Sequence, residues 1–243
     1  MSSVNAKNID VVILCGGMGT RLKSVLGDSP KSMAKMDKRP FLDILIEHIS
    51  AFGFERFILC IGYKAKVIRE HYRSKKGKLE ILISSEAKPL GTGGAIKNAR
   101  TLIQSDPFLV VNGDSFFDMN LCRFIHFHMR NKALLSIALV DAKDPKDYGS
   151  IKINSADRVI RFNEKEKAGR SSIINAGIYL FNSEVLSLMP NNENFSLEYD
   201  FFPKIVSREF YGYLAKGLFI DIGTPERYKR AERLLKDFNA LRK

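Results

Sequence analysis

The chain contains 243 residues, 45% of them hydrophobic, and carries a formal net charge of +12 at pH 7. A chain of this length buries most of its unfolded surface in one core, so we expect a single domain over residues 1–243. No stretch approaches the roughly 20 consecutive apolar residues of a membrane span, and the N-terminus lacks the apolar run of a signal peptide. These features exclude an integral membrane protein and favour a cytoplasmic protein that binds no membrane.

Strand-like and helix-like segments alternate in the first half of the chain. Apolar runs bounded by Gly, Pro or Asp predict buried parallel strands at residues 11–15, 57–61, 79–83 and 108–111. Between the first two runs, Phe41, Leu45, Ile49 and Phe52 repeat at helical spacing. This alternation predicts a doubly wound α/β half.

The second half has a different pattern. Short strand-like runs follow one another at residues 136–140, 149–153, 159–162 and 176–180. The sheet is therefore expected to become mixed. Thr224 and Pro225 predict the start of a last helix, with Thr as its N-cap and with Tyr228, Ala231, Leu235 and Phe238 on one face.

The three cysteines and the positive charge each limit the chemistry. Cys15, Cys60 and Cys122 lie far apart without a CxxC pair, so reduced thiols are expected and a disulfide framework or zinc site is not.

A basic surface suits either nucleic acid or small polyanions. The densest basic run, residues 64–78, is typical of a solvated helix face, and no zinc-finger, basic-zipper or RNP-type pattern accompanies it. We expect no nucleic-acid partner.

A glycine-rich segment, Gly16-Gly17-Met18-Gly19-Thr20-Arg21-Leu22, follows the first predicted strand. Such loops bring backbone N–H groups close to phosphate oxygens. A dinucleotide motif GxGxxG beginning at Gly17 would need glycine at position 22, where Leu22 stands, and no GxxxxGK(S/T) loop occurs. The loop therefore indicates a phosphate site of another kind.

The segment G-G-x-G-T-R-L, followed by Lys31 ten residues after Arg21, resembles the opening of the sugar-1-phosphate nucleotidyltransferases. This chain differs in having Ser32 where a second proline is common. The resemblance implies a three-layer Rossmann-like (GT-A-like) α/β fold around a central, mainly parallel mixed sheet. It also implies that Arg21 and Lys31 are catalytic cations that neutralise the phosphates, and that the nucleotide packs on Leu14, Gly16, Gly17, Gly19 and Thr20.

Two aspartates are candidate metal ligands. Asp114, in Asn112-Gly113-Asp114, follows a strongly apolar predicted strand and so lies where open α/β sheets bind ligands. Asp221 lies in the segment Phe219-Ile220-Asp221-Ile222-Gly223. Both motifs match the family, in which the two aspartates bind a divalent cation, and two carboxylates plus substrate phosphates suit Mg²⁺.

Other segments resemble the substrate-binding parts of the family. The stretch from Glu86 to Gly94, with Pro89, Gly91 and Thr92, is similar to the base-recognition loop, and Asn112 and Gly113 belong to the nucleotide side. A carboxylate at Glu86 suits guanine N1–H and N2–H₂, which adenine does not offer. The resemblance places the sugar phosphate against Tyr148, Gly149, Glu164, Lys165 and Asn175.

Across most of its length the chain is most similar to the heptose 1-phosphate guanylyltransferases, notably in residues 174–181, 195–203 and 219–228. The resemblance implies transfer of GMP from GTP to D-glycero-α-D-manno-heptose 1-phosphate, with release of pyrophosphate. Mannose 1-phosphate or another hexose 1-phosphate is the alternative substrate. A regulatory subunit that senses a nucleotide sugar is the non-enzymatic alternative, although it would be expected to have lost Lys31, Asp114 or Asp221. The oligomeric state stays open, a homo-oligomer included.

Overall fold

The computed structural model describes residues 5–27, 29–73, 77–142, 148, 150–163 and 172–241. Its α-helices are α1 (Lys23–Leu26), α2 (Phe41–Ser50), α3 (Ala65–Arg73), α4 (Gly91–Asn98), α5 (Leu121–Arg130), α6 (Val185–Leu188), α7 (Phe202–Ile205) and α8 (Pro225–Leu241). Its strands are β1 (Val11–Leu14), β2 (Lys35–Met36), β3 (Arg39–Pro40), β4 (Arg56–Ile61), β5 (Glu80–Ser85), β6 (Phe108–Asn112), β7 (Ser115–Phe117), β8 (Leu135–Asp141), β9 (Ser150–Ile153), β10 (Val159–Asn163), β11 (Ile173–Phe181), β12 (Phe210–Leu214) and β13 (Phe219–Asp221).

The parallel half of the central sheet is formed by β6, β1, β4 and β5, in that order. Val11 of β1 pairs with Phe57 of β4 on one side and with Leu109 of β6 on the other. β1, β4 and β6 are buried along almost their whole length, as expected for strands covered on both faces. The four strands predicted in the first half of the sequence are confirmed.

The other half of the sheet is mixed, also as predicted. β11 runs antiparallel to β6 and β8, and β12 joins the outer side of β8 in parallel. The β9–β10 hairpin attaches to β11 through the pair Ile174 and Ser150. In the described part of the chain this one sheet contains nine strands.

Helices cover both faces of the sheet, which gives three layers. Alternate residues of β1 point to opposite sides, so Val11 and Ile13 pack in one core and Val12 packs in the other. The first core contains residues of α2, α3, α5 and α8, and the second contains residues of α4, α6 and α7. Cys15 and Cys60 are buried in opposite cores, whereas Cys122 is exposed, and all three are free thiols.

The last helix begins as the sequence predicts. Thr224 Oγ1 accepts a hydrogen bond from the N–H of Arg227 at 3.3 Å, so Thr224 caps α8. Tyr228, Ala231 and Leu235 are buried against the first core.

Within the described residues, none of the helices is long and apolar enough to cross a membrane.

Candidate active site

A cavity of about 530 Å³ lies at the carboxyl ends of β1, β4, β5 and β6. Because parallel strands end at the same edge of a sheet, the loops that follow them converge there. The described residues that line the cavity are Leu14, Cys15, Gly16, Gly17, Met18, Lys31, Ser32, Gly62, Tyr63, Glu86, Ala87, Lys88, Pro89, Leu90, Gly91, Thr92, Ala95, Asn112, Gly113 and Asp114. Most residues predicted to bind the nucleotide are therefore on one wall or another of this cavity.

The glycine loop supplies the wall next to β1. Gly16 and Gly17 line the cavity, whereas Thr20 and Arg21 begin a short 3₁₀ turn with exposed side chains outside its lining. Gly19 has a φ of +60°, and a Cβ at that position would lie 3.2 Å from Lys31 Cβ. Glycine at position 19 thus allows both the left-handed turn and the close approach of Lys31.

Lys31 and Asp114 meet at the edge of this cavity. Lys31 Nζ lies 2.5 Å from Asp114 Oδ2, and their side chains are 14% and 35% exposed. Burial raises the pKa of Asp114, but the charge and hydrogen bond of the Lys31 ammonium outweigh it and hold that pKa below its usual value. Asp114 is therefore a carboxylate at neutral pH and is available to a cation.

Asp221 is brought to the same place by a two-stranded ribbon. β13 pairs antiparallel with β7, which places Asp221 opposite Ser115, and the N–H of Ile222 donates to the carbonyl of Asp114 at 3.1 Å. A Cβ on Gly223 would lie within 3.5 Å of both Asp221 carboxylate oxygens and of Lys31 Nζ. The structure thus brings Lys31 and both aspartates together across 190 residues of sequence.

The two carboxylates influence each other. Burial, and then the charge of Asp114, raise the pKa of Asp221, while Lys31, the N–H of Gly223 and Arg227 oppose that increase. A pair of neighbouring carboxylates that repel each other is a suitable donor set for a divalent cation. In the described ranges, no cluster of three or more His, Cys, Asp or Glu side chains is placed to hold a metal.

Glu86 lies between the glycine loop and the start of α4. Its Oε2 accepts the N–H of Leu90 at 3.2 Å, and a Cβ on Gly16 would lie 2.7 Å from its Oε1. The side chain is half-buried, and this burial raises the pKa of Glu86, with the Leu90 hydrogen bond opposing the increase. The position gives Glu86 access to the cavity shared with Pro89, Gly91 and Thr92.

Glu198 is a carboxylate that the sequence did not indicate, and it links Thr92 to Tyr179 and Asn175. Glu198 accepts hydrogen bonds from Thr92 Oγ1 and Ser196 Oγ, both at 2.7 Å, and lies 3.5 Å from Tyr179 Oη. Tyr179 Oη in turn accepts from Asn175 Nδ2 at 2.7 Å. Family resemblance indicated only the surrounding segment, because a lone glutamate two residues after Ser196 has no spacing signal of its own.

The predicted sugar-phosphate residues fall partly within the described structure. Tyr148 packs edge-on to Phe219 at 6.0 Å, and Arg227 lies over its ring at 4.4 Å from the centroid. Tyr148 is therefore close to the carboxylate pair, while Asn175 lies at the Glu198 cluster. Gly149, Glu164 and Lys165 lie outside the described residues.

Comparison with known proteins decides the family. A family model for nucleotidyl transferases matches residues 10–237. The chain belongs to the nucleotidyl transferase family. D-glycero-α-D-manno-heptose 1-phosphate guanylyltransferase from Aneurinibacillus thermoaerophilus is 36% identical to this nucleotidyl transferase over 231 residues, which cover 95% of the chain and 100% of the relative.

Two further relatives of this nucleotidyl transferase are informative. Mannose-1-phosphate guanylyltransferase from Mycobacterium tuberculosis is 34% identical over 226 residues, covering 91% of the chain and 63% of the relative. The crystal structure of HddC from Yersinia pseudotuberculosis has a TM-score of 0.83 and 38% identity, covers 93% of this chain and 99% of that one, and is also known in complex with GMP-PN. The prediction of a Rossmann-like nucleotidyltransferase fold with a mixed, mostly parallel sheet is confirmed.

Proposed function

We propose that this nucleotidyl transferase transfers GMP from GTP to D-glycero-α-D-manno-heptose 1-phosphate, forming GDP-heptose and releasing pyrophosphate. The observation that supports the proposal best is the convergence of Lys31, Asp114 and Asp221 at the edge of a nucleotide-sized cavity. Its likeness to a heptose 1-phosphate guanylyltransferase over nearly the whole of both chains supports the choice of substrates. One domain over residues 1–243 is part of the proposal.

The reaction requires charge neutralisation more than proton transfer. A phosphate oxygen of the sugar phosphate is already anionic at neutral pH, and it attacks the α-phosphorus of GTP. A new P–O bond forms, the bond between the α- and β-phosphates breaks, and pyrophosphate leaves with the electron pair. No general base is needed, and no histidine is among the described residues that line the cavity.

The chain's cations and carboxylates have separate tasks in this proposal. Lys31 donates to a phosphate oxygen of the nucleotide, and Arg21, exposed beside the glycine loop, reaches the outer phosphates. Asp114 and Asp221 would hold Mg²⁺, which fits their oxygen donors and their close placement. Bound there with the triphosphate, Mg²⁺ would neutralise the charge that develops on the phosphate oxygens.

Recognition of the two substrates is assigned to different residues, with the nucleotide in the cavity and the sugar phosphate beside it. Glu86 accepts the N1–H and N2–H₂ of guanine, while Gly16, Gly17 and the start of α4 pack on the nucleoside. Tyr148 and Asn175 contact the sugar phosphate, together with Gly149, Glu164 and Lys165. A pocket with several buried hydrogen-bonding groups rejects a sugar that leaves them unpaired.

A pyrophosphate-release screen tests this function. The purified chain is given each common nucleoside triphosphate against a panel of sugar 1-phosphates, with Mg²⁺ present. We expect the highest kcat/KM for GTP with the heptose 1-phosphate. Preference for mannose 1-phosphate, the substrate in the name of one relative, would reassign the sugar, and the absence of pyrophosphate with every pair would contradict an enzymatic role.

Chelation tests the metal. Excess EDTA is expected to abolish pyrophosphate release, and added Mg²⁺ to restore it. Full activity in excess EDTA would contradict the assignment of Asp114 and Asp221 as metal ligands.

A further inference from the structure

Each of the two active-site carboxylates already has a cation of the protein beside it. Lys31 Nζ lies 2.5 Å from Asp114 Oδ2, and Arg227 Nη1 lies 3.2 Å from Asp221 Oδ1. The side chains of Lys31 and Arg227 are 14% and 21% exposed, so neither ion pair is fully screened by water. These four groups together have no net formal charge.

Arg227 is fixed from several directions. It lies in the first turn of α8, where Thr224 caps its N–H, and its guanidinium stacks on the Tyr148 ring at 4.4 Å. The Asp221 oxygen that it contacts, Oδ1, also accepts the N–H of Gly223 at 2.7 Å. Arg227 therefore sets both the position of Asp221 and the charge around it.

We propose that Arg227 is a positioning residue which, with Lys31, keeps the carboxylate pair charge-balanced, so that a divalent cation binds tightly only together with an anionic substrate. A divalent ion entering alone would meet a group of two carboxylates and two cations that has no net charge. Phosphate oxygens of a nucleotide draw the Lys31 ammonium away from Asp114 and supply the remaining ligands. The inference rests on the proposed function only for the placement of the metal at this pair.

Mn²⁺ binding in the absence of nucleotide is the measurement that distinguishes this arrangement from a preformed metal site. Free Mn²⁺ is followed by its electron paramagnetic resonance signal during titration of the protein. We expect weak binding to the wild type, and about tenfold tighter binding to Arg227→Gln and to Lys31→Gln. A tenfold change is the effect of one unit charge on a divalent ion about 6 Å away in a water-like dielectric.

Two further variants separate position from overall charge. Arg230→Gln removes the same charge from an exposed position on α8 and should bind Mn²⁺ like the wild type. Arg227→Lys keeps the charge and should also remain close to the wild type in Mn²⁺ affinity, while KM for the sugar phosphate rises because the stack on Tyr148 is lost. Thermal melting establishes that each variant is folded. If Arg227→Gln is unfolded, the comparison of Mn²⁺ affinity is made with Lys31→Gln.

Several results would overturn the inference. The inference would be wrong if the wild type bound Mn²⁺ without nucleotide as tightly as Arg227→Gln does. It would also be wrong if Arg230→Gln gained as much Mn²⁺ affinity as Arg227→Gln. Because no turnover is measured in these titrations, they are independent of the substrate screen. An inactive chain that shows the expected Mn²⁺ pattern would refute the proposed function and leave this inference standing.

Discussion

Lys31 and Asp114 form the contact on which the proposed chemistry depends, so their replacement has a defined kinetic outcome. Lys31→Ala, or Asp114→Asn, is expected to lower kcat by roughly two to four orders of magnitude, as is typical when a group that stabilises transition-state charge is lost. Steady-state pyrophosphate release measures the effect. Lys23→Ala, which removes an exposed cation of the nearby α1, is the matched control and should retain wild-type kcat. Near-wild-type rates in either active-site variant would refute the assigned roles.

Glu86 is the residue on which the choice of base depends. Glu86→Gln keeps the size of the side chain but replaces one acceptor oxygen by a donor, which opposes the N–H groups of guanine. The variant should therefore lose preference for GTP over UTP by a larger factor than it loses kcat with GTP. Competition between the two nucleotides in one reaction measures the ratio directly. An unchanged ratio would mean that another group reads the base.

The same substitution has a pH-dependent effect on stability. Burial raises the pKa of Glu86 above its ordinary value, so the folded protein binds this proton more tightly than the unfolded chain. That stabilisation is complete below the unfolded pKa and is lost as pH rises through the folded pKa. Glu86→Gln has no such loss and keeps an acceptor for the N–H of Leu90.

The Tm of Glu86→Gln should therefore exceed that of the wild type by an amount that is near zero at about pH 4 and grows towards neutral pH. Thermal melts across this range measure the difference. Glu184→Gln, at an exposed position, is the control and should show no such trend. A constant Tm difference at all pH values would contradict the argument from burial.

At the scale of elements, α4 packs closely on the segment around Glu193, which precedes the π-helical turn at Leu197–Phe201. This packing requires glycine at position 94 of α4. A Cβ on Gly94 would lie 2.1 Å from the carbonyl oxygen of Glu193, which is a backbone atom that cannot rotate away. Gly→Ala within a helix normally stabilises by about 0.5–1 kcal/mol. Overpacking costs about 1–3 kcal/mol or more, so the clash should dominate.

Gly94→Ala is accordingly expected to lower the free energy of unfolding, with a fall in Tm of about 2–4 °C per kcal/mol for a chain of this size. It should also raise KM for the nucleotide, because α4 carries one wall of the cavity. Gly77→Ala is the stability control, because a Cβ at this position would meet no atom of the described residues within 4 Å. Equal Tm values for the two variants would show that the segment after Glu193 moves aside without cost.

The strands that could be predicted from the sequence are those with long apolar runs. The parallel strands were predicted because burial on both faces leaves a continuous apolar pattern. The mixed second half was predicted from short strand-like runs that follow one another, and α8 from Thr224, Pro225 and the helical spacing of its apolar residues. Five short strands, β2, β3, β7, β12 and β13, were not predicted. β7 and β13 form a ribbon of only three paired residues, whose existence depends on a partner about 100 residues away rather than on local pattern.

The candidate site follows the same division. Glycines, Lys31, Asp114 and Asp221 could be named from motifs, since each lies beside a recognisable local signal. Arg227 and Glu198 could not be named from motifs, because their importance comes from contacts between residues distant in sequence. Arg227 contacts Asp221 and Tyr148. Glu198 contacts Thr92. Family resemblance named the segments in which they lie but not their contacts.

At the scale of the whole molecule, the net charge of +12 could attract either nucleic acid or small polyanions. Several basic side chains in the described structure pair with acidic partners distant in sequence, for example Arg56 with Asp10 and Lys88 with Glu193. Binding to nucleic acid would require a contiguous row of cations along the phosphate backbone. The remaining positive charge is suited to attracting small polyanions to the cavity.

The chain should therefore show little retention of random-sequence RNA in a gel-shift assay at physiological ionic strength. The KM for GTP, by contrast, should rise with added salt, since screening weakens the attraction of the triphosphate, whereas kcat should change little because the bound complex is shielded. KCl titrations of both activities measure these effects on the same protein. Tight RNA retention that falls steeply with salt would instead indicate several simultaneous phosphate contacts, and the basic surface would then need a role beyond the small substrates.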